Sequence, residues 1–157
     1  MAIRAATGRD VERMVGLSGE VRSRLEQFDA IFWRRHAAAE AIQHAWFQHL
    51  PTDADHGVFV VDHEPGGLLE GFVVARIMDA PPVFDPGGRT CMVDDWAWTR
   101  EALAQPLLDH ALAWGRTRGA TQAVVVTAAA DHERRALLTD AGLVPTSEWW
   151  VRQIDSA

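Results

Sequence analysis

Three strand-like runs separated by short turn-forming segments constrain the fold of this chain more than any other feature. They are residues 57–62 (GVFVVD), 71–78 (GFVVARIM) and 91–98 (CMVDDWAW). All three are rich in β-branched and aromatic side chains, which fit a pleated, half-buried surface. Between them, 63–68 (HEPGGL) and 80–88 (APPVFDPGG) carry the glycines and prolines of turns. Connections this short join antiparallel strands, so the middle of the chain is expected to form a three-stranded meander.

Helical periodicity flanks that meander. Residues 3–6 are apolar enough for an opening edge strand. Thr7 then stands three residues before Asp10, and Val11, Met14 and Val15 follow as a narrow apolar stripe, the signature of a capped helix start. Val21, Leu25 and Phe28 continue that helix. A second helix, 37–50, places Ile42, Ala45, Trp46 and His49 on one face and stops at Pro51. After the meander, Pro106 suits the first turn of a helix over 107–118, with Leu108, Ala111 and Leu112 inward and Gly119 closing it. Residues 123–128 (AVVVTA) read as a strand covered on both faces. Asp131 caps a helix over 133–141 that Gly142 terminates, and 148–154 (EWWVRQI) reads as a final strand. The order β-α-α-β-β-β-α-β-α-β predicts an α+β (mixed α/β) fold built on one mixed, mostly antiparallel sheet.

Composition closes several functional classes. The 157 residues suit one domain, 1–157, with a real hydrophobic core. A single cysteine leaves neither a disulfide framework nor a cysteine-built zinc site. The net charge of −7 argues against nucleic-acid and anionic-membrane partners, which need a basic face. No apolar run reaches the length of a membrane helix and no signal-like segment opens the chain, so the cytoplasm is the expected compartment. There is no lysine and no tyrosine, so Schiff-base and phenolic acid–base chemistry are both excluded.

The element order, Gly71 opening the third strand, and the pieces VDDWAW (93–98), LLDHAL (107–112) and RALLTDAGL (135–143) make the chain resemble the GNAT N-acetyltransferase superfamily. The segment 81–88 resembles that of a bacterial subgroup of it with no assigned substrate. The resemblance implies helices on both sheet faces and a splay between the fourth and fifth strands that holds acetyl-CoA. It implies that backbone groups of Trp96, Ala97 and Trp98 pair with the pantetheine arm, and that the following loop and helix start hold the pyrophosphate. Here that loop departs from the family's glycine-rich pattern. Arg100, Ala102, Ala104 and Gln105 occupy it, with alanines where glycines belong, and Pro106 removes one N–H donor. Arg100 could compensate by contacting phosphate through its fork of donors. The family's usual acid, a tyrosine four residues before the closing glycine, is replaced by Leu138.

Asp94 and Asp95 are the expected catalytic pair. Simple pleat geometry puts them on opposite faces, one as a base or amine-binding carboxylate on the substrate side. The alternative is structural: one solvated, the other accepting hydrogen bonds at a sheet bulge. His132 offers a substitute acid or an exposed first-turn histidine. His44 and His49, five apart on a helix, lie on different azimuths and predict no metal site. Trp33, Trp46, Trp96, Trp98, Trp149 and Trp150 read as core residues or as walls of an aromatic acceptor pocket. Arg134 and Arg135 read as phosphate contacts or as exposed helix arginines, and Cys91 as a small buried hydrophobe. Two functions follow. One is an N-acetyltransferase moving an acetyl group from acetyl-CoA to a primary amine of a small molecule or protein. The other is a degenerate GNAT-fold binding or regulatory module that has lost acetyl-CoA. An open sheet edge or the apolar helical region offers a homodimer interface without specifying one.

Overall fold

The computed structural model describes residues 2–154 apart from Pro65 and Pro81, so those two prolines of the expected turns lie outside the described residues. Five strands form one sheet in chain order: β1 (Ile3–Ala5), β2 (His56–Asp62), β3 (Leu69–Met78), β4 (Arg89–Trp98) and β5 (Ala120–Val125). The first four pair antiparallel and β5 pairs parallel to β4. Helices α1 (Val11–Phe28) and α2 (Ala39–His49) cover one face, and α3 (Ala104–Thr117) and α4 (His132–Asp140) the other.

Alternation along the strands divides the core between these layers. Val58, Val60, Phe72, Val74 and Ala97 meet Val11, Met14, Leu17 and Phe47 on one side. Val61, Val73, Ala75, Ile77, Cys91, Val93 and Trp96 meet Leu103, Leu107, Leu108, Ala111 and Leu138 on the other. Local signals set the helix ends. Thr7 and Asp10 bond reciprocally at the start of a 3-10 turn that leads into α1: the Thr7 backbone N–H and hydroxyl donate to Asp10 Oδ2 at 2.7 and 2.9 Å, and the Asp10 N–H donates to the Thr7 carbonyl at 3.0 Å. Gly119 and Gly142 take φ near +82° and +83° after α3 and α4, where a side chain would be strained. Among the described residues, no helix is long and apolar enough to cross a membrane.

Four expectations need correction. The inward face of α2 is Gln43, Phe47 and the following Leu50, whereas Ile42 and His49 point outward. Phe47 supplies the larger buried ring, edge-on to Phe72 at 5.5 Å. β5 begins and ends earlier than its apolar run and is covered on one face only; Val124 and Val126 are exposed. The reason is that α1 and α2 stop over β2–β4, and their core contains no β5 residue. Residues 148–154 form no strand: Trp149 and Trp150 are 81% and 89% exposed. High β-propensity is realised only where a neighbouring edge supplies hydrogen bonds, and this segment does not reach the open edge of β5. Finally, β4 carries a bulge. Val74 pairs with Asp95 and Ala75 with Val93, leaving Asp94 as the extra residue. A bulge sets two successive side chains toward one face, so Asp94 and Asp95 share the α1/α2 side rather than opposing each other.

Candidate functional site

The candidate site lies where β4 and β5 part. Their pairing runs from Arg89 and Ala120 to Val93 and Val125 and then ends, while β4 continues through Trp98 bonded only to β3. This opening is the splay expected of the fold. The bulge at Asp94 helps to make it, because it bends the strand and raises its twist.

Arg134, from the first turn of α4, fills the opening. Its Nη2 donates to the Trp96 carbonyl at 2.7 Å. Its guanidinium lies 4.4 Å from the Trp98 ring centroid and 5.4 Å from that of Trp96. The two indoles are themselves 4.5 Å apart. Planar stacking and directed donors in one side chain suit arginine alone. Burial pulls the Arg134 guanidinium below the ordinary arginine range, against the pull of Asp131 and then Asp95. Asp131 is 1% exposed, caps α4 by accepting from the Arg134 N–H, and receives Arg24 Nη2 at 2.7 Å. Arg24 also reaches Glu133 at 2.6 Å, tying α1 to the start of α4.

The loop after β4 is equally committed to its own chain. Arg100 forms two hydrogen bonds with the Glu70 carboxylate, and Thr99 N–H donates to the Glu70 carbonyl at 2.8 Å. Glu101–Leu103 is a 3-10 turn in which Leu103 N–H donates to Arg100 O and Ala104 N–H to Glu101 O. Ala104 is fully buried in the core; Ala102 is exposed; Gln105 Nε2 donates to Asp109 Oδ1 at 2.7 Å. Beside this turn runs an open groove of about 540 Å³ whose charged lining is Glu101, Glu133 and Asp140, with Ala102, Ala136 and Leu137 between them.

In this structure several of the groups that the resemblance assigns to the pyrophosphate of a CoA nucleotide are engaged within the chain. Two of the loop's N–H donors are spent inside the turn, Pro106 has none, and Arg100 is held by Glu70. The groove presents three carboxylates to any anion placed there. The pantetheine slot fares no better while Arg134 holds the Trp96 carbonyl. Leu138, at the position of the family's phenol, packs in the core.

The two aspartates sit on the opposite side of the sheet from Arg134. Asp94 pairs with Arg76 Nε at 3.0 Å. Burial raises its carboxyl pKa, opposed by Arg76 and His56. Asp95 is buried more deeply. Ser18 Oγ and Gln43 Nε2 donate to its Oδ2 at 2.5 and 2.6 Å, and Trp96 N–H donates to its Oδ1 at 2.9 Å. Burial pushes its carboxyl up; the Ser18 bond leads the opposing causes, followed by Trp96 N–H, Arg134 and Arg22. Gln43 Oε1 is left without a hydrogen-bond partner.

The remaining candidates scatter. His132 is exposed. Among the described residues no three metal-ligating side chains converge. Cys91 is buried, and burial lifts its thiol to about 11. Trp46 stacks on Phe47 at 5.2 Å, while Trp33 and Trp149 both meet Phe32 near the surface. Arg135 is exposed. Sequence reasoning missed Ser18, Gln43, Arg24 and Glu70, each of which acts through a partner 25 or more residues away.

No family model matches the sequence, and no curated protein is detectably similar to it. Solved structures are. A mutant of the BH1408 protein from Bacillus halodurans superposes with a TM-score of 0.85 at 16% identity, covering 98% of this chain and 99% of that one. Glucosamine-6-phosphate N-acetyltransferase from Arabidopsis thaliana gives 0.69 at 14%, with 98% of each chain covered. Aminoglycoside N-acetyltransferase AAC(6')-Iy in complex with CoA gives 0.71 at 14%, covering 99% of this chain and 100% of that one. Such identities speak for architecture, and with the sheet order and the β4/β5 splay they give one answer: the chain has the fold of the GNAT N-acetyltransferases.

Proposed function

We propose that this chain uses the GNAT fold as a binding or regulatory module and does not draw acyl groups from acetyl-CoA. The observation that carries the reading is Arg134, whose guanidinium occupies the β4/β5 opening, bonded to the Trp96 carbonyl at 2.7 Å and stacked on two tryptophans. The glycine-free turn, the carboxylate-lined groove and the apolar Leu138 support it from three other positions.

A second reading is N-acetyl transfer from acetyl-CoA to a primary amine of a small molecule or protein. It is favoured by the opening itself, by the acetyltransferases that share this fold, and by a buried carboxylate, Asp95, beside the splay. In that reading Asp95 takes the ammonium proton, and burial, which raises its pKa, makes it a stronger base than a solvated carboxylate. Arg134 must first leave the opening, and Ser18 and Gln43 must release Asp95.

A thermal-shift titration with CoA and acetyl-CoA decides between them. A donor with a Kd of about 10 μM, supplied at about 1 mM, would stabilise the native state by about 2.7 kcal/mol. For a domain of this size that raises Tm by roughly 5–10 °C. The binding-module reading expects no shift with either compound and no free-thiol release with a panel of amines. A millimolar-range shift accompanied by thiol release transfers the conclusion to the second reading.

A further inference from the structure

We propose that the cavity between the start of α1 and the β2–β3 turn binds a phosphate dianion, either free or as the monoester of a small molecule. The site takes no residue from β4, β5 or α4, and the inference is independent of the binding-module reading. The cavity measures about 250 Å³, and its charged lining is Arg4, Arg9, Asp10 and Arg13. Residues 66–69 (GGLL) complete its wall. The four charges are not equivalent. Arg4 spends all five N–H donors inside the chain, two on Asp10, two on Asp62 and one on the Ala5 carbonyl. Asp10 accepts in turn from Arg4 and from the Thr7 N–H and hydroxyl, so both of its oxygens are occupied. That pair shapes one side of the cavity and leaves a ligand no donor.

Arg9 and Arg13 differ. Arg13 is half-buried, and its Nε donates to the Leu69 carbonyl at 3.3 Å, which holds the guanidinium against the turn. Among the described residues its Nη groups meet no acceptor, Arg9 meets none at all, and no carboxylate pairs with either. Yet the chain has 22 acidic side chains to 15 basic ones. Two guanidinium groups facing one cavity without a counter-charge repel each other, and a bound anion removes that cost. The donors also select the anion. Each guanidinium is a planar fork that matches two oxygens of a phosphate or carboxylate. Two forks call for two charges and more than two oxygens on one centre, which a phosphate dianion has and a carboxylate lacks. A Cβ built on Gly66 would meet nothing within 4 Å, so the turn leaves room for a tetrahedral group. The cavity is smaller than the roughly 300–1,000 Å³ of pockets for drug-sized ligands, so whatever carries the phosphate is small. The net charge of −7 is no barrier, because physiological salt largely screens charges beyond about 8 Å.

Amide-resolved NMR titration of the full chain tests the proposal, with inorganic phosphate and glycerol 3-phosphate as probes and acetate as the carboxylate control, all at matched ionic strength. A phosphate probe should shift the amide resonances of Arg9, Arg13, Gly66 and Gly67 saturably, with a Kd of roughly 0.1–5 mM for so small a ligand. Tighter binding of glycerol 3-phosphate identifies a monoester as the ligand; equal or tighter binding of inorganic phosphate identifies the free ion. Acetate should bind at least tenfold more weakly. Arg9→Gln and Arg13→Gln should each weaken phosphate binding at least tenfold, whereas Arg116→Gln, on the exposed end of α3, should leave it unchanged. Arg9 is exposed and has no partner to lose, so its variant stays decisive if Arg13→Gln misfolds. The absence of a saturable shift up to about 20 mM of either phosphate overturns the proposal. So does acetate that binds as tightly as phosphate, undiminished binding in both variants, or an equal loss in Arg116→Gln.

Discussion

At the scale of the residue, the buried charges determine what this protein can do. Asp95 accepts three hydrogen bonds and is still pushed toward protonation by burial, so its ionised form is costly in the folded state. Asparagine is nearly isosteric. Turning the Gln43 amide over lets its orphaned Oε1 accept from the new side-chain NH₂. We expect Asp95→Asn to be neutral or stabilising at pH 7, whereas Asp95→Ala loses about 1–3 kcal/mol by stranding Ser18, Gln43 and the Trp96 N–H. Urea unfolding separates the two; equal losses would contradict this account of the site. Arg134 behaves oppositely. Its removal leaves the Trp96 carbonyl without that donor and weakens the neutralisation of Asp131. Arg134→Ala should cost about 2–4 kcal/mol and Arg134→Lys should recover little, since an ammonium cannot both stack and reach the carbonyl. A loss below about 0.5 kcal/mol would mean that the guanidinium does not occupy the opening.

At the scale of the element, close packing between α3 and β4 sets the tolerance to change. Gly115 sits on the inner face of α3, where an added Cβ would meet the Cys91 Cβ and Sγ at 2.7 Å. Gly16, on the exposed side of α1, would meet nothing within 4 Å. Gly115→Ala should therefore destabilise by roughly 1–3 kcal/mol despite alanine's better helix propensity. Gly16→Ala should stabilise by about 0.5–1 kcal/mol, and paired thermal melts of the two variants test both signs. The bulge in β4 was not legible in the sequence, because apolar residues fill 91–93 and 96–98 without alternation; only the pairing shows that Cys91, Val93, Trp96 and Trp98 share one core face across an inserted residue. Strict alternation would have put the two aspartates on opposite faces; the register shift puts both on the α1/α2 face, Asp95 against Ser18 and Gln43 and Asp94 beside Arg76.

At the scale of the whole molecule, a three-residue charge cluster closes the N-terminal corner. Arg4 on β1 donates to Asp10 before α1 and to Asp62 at the end of β2, at 2.8–3.0 Å. The Arg4 bond, foremost, holds the Asp10 carboxyl at about 2, below its ordinary 3.8. A folded pKa below the unfolded one means that the stabilisation is complete above about pH 4 and disappears as pH falls toward 2. Acid unfolding should steepen across that window, and Asp10→Asn should flatten it while lowering stability at pH 7. An unchanged acid limb in the variant would remove Asp10 from the cause.

Local patterns along the chain determined the elements from β1 to α4, their order and the antiparallel meander, because helix and strand periodicities are set by residues a few positions apart. They also indicated that the phosphate loop lacks glycine and that no phenol stands in the last helix. Tertiary structure alone decided how the opening is filled. Arg134 meets Trp96 across 38 residues and Arg24 meets Asp131 across 107, and such pairings depend on where the sheet brings two distant segments together. It also decided the fate of 148–154, whose composition suits a strand but which pairs with no edge among the described residues. A strand is stable only in company, and company is a property of the folded molecule.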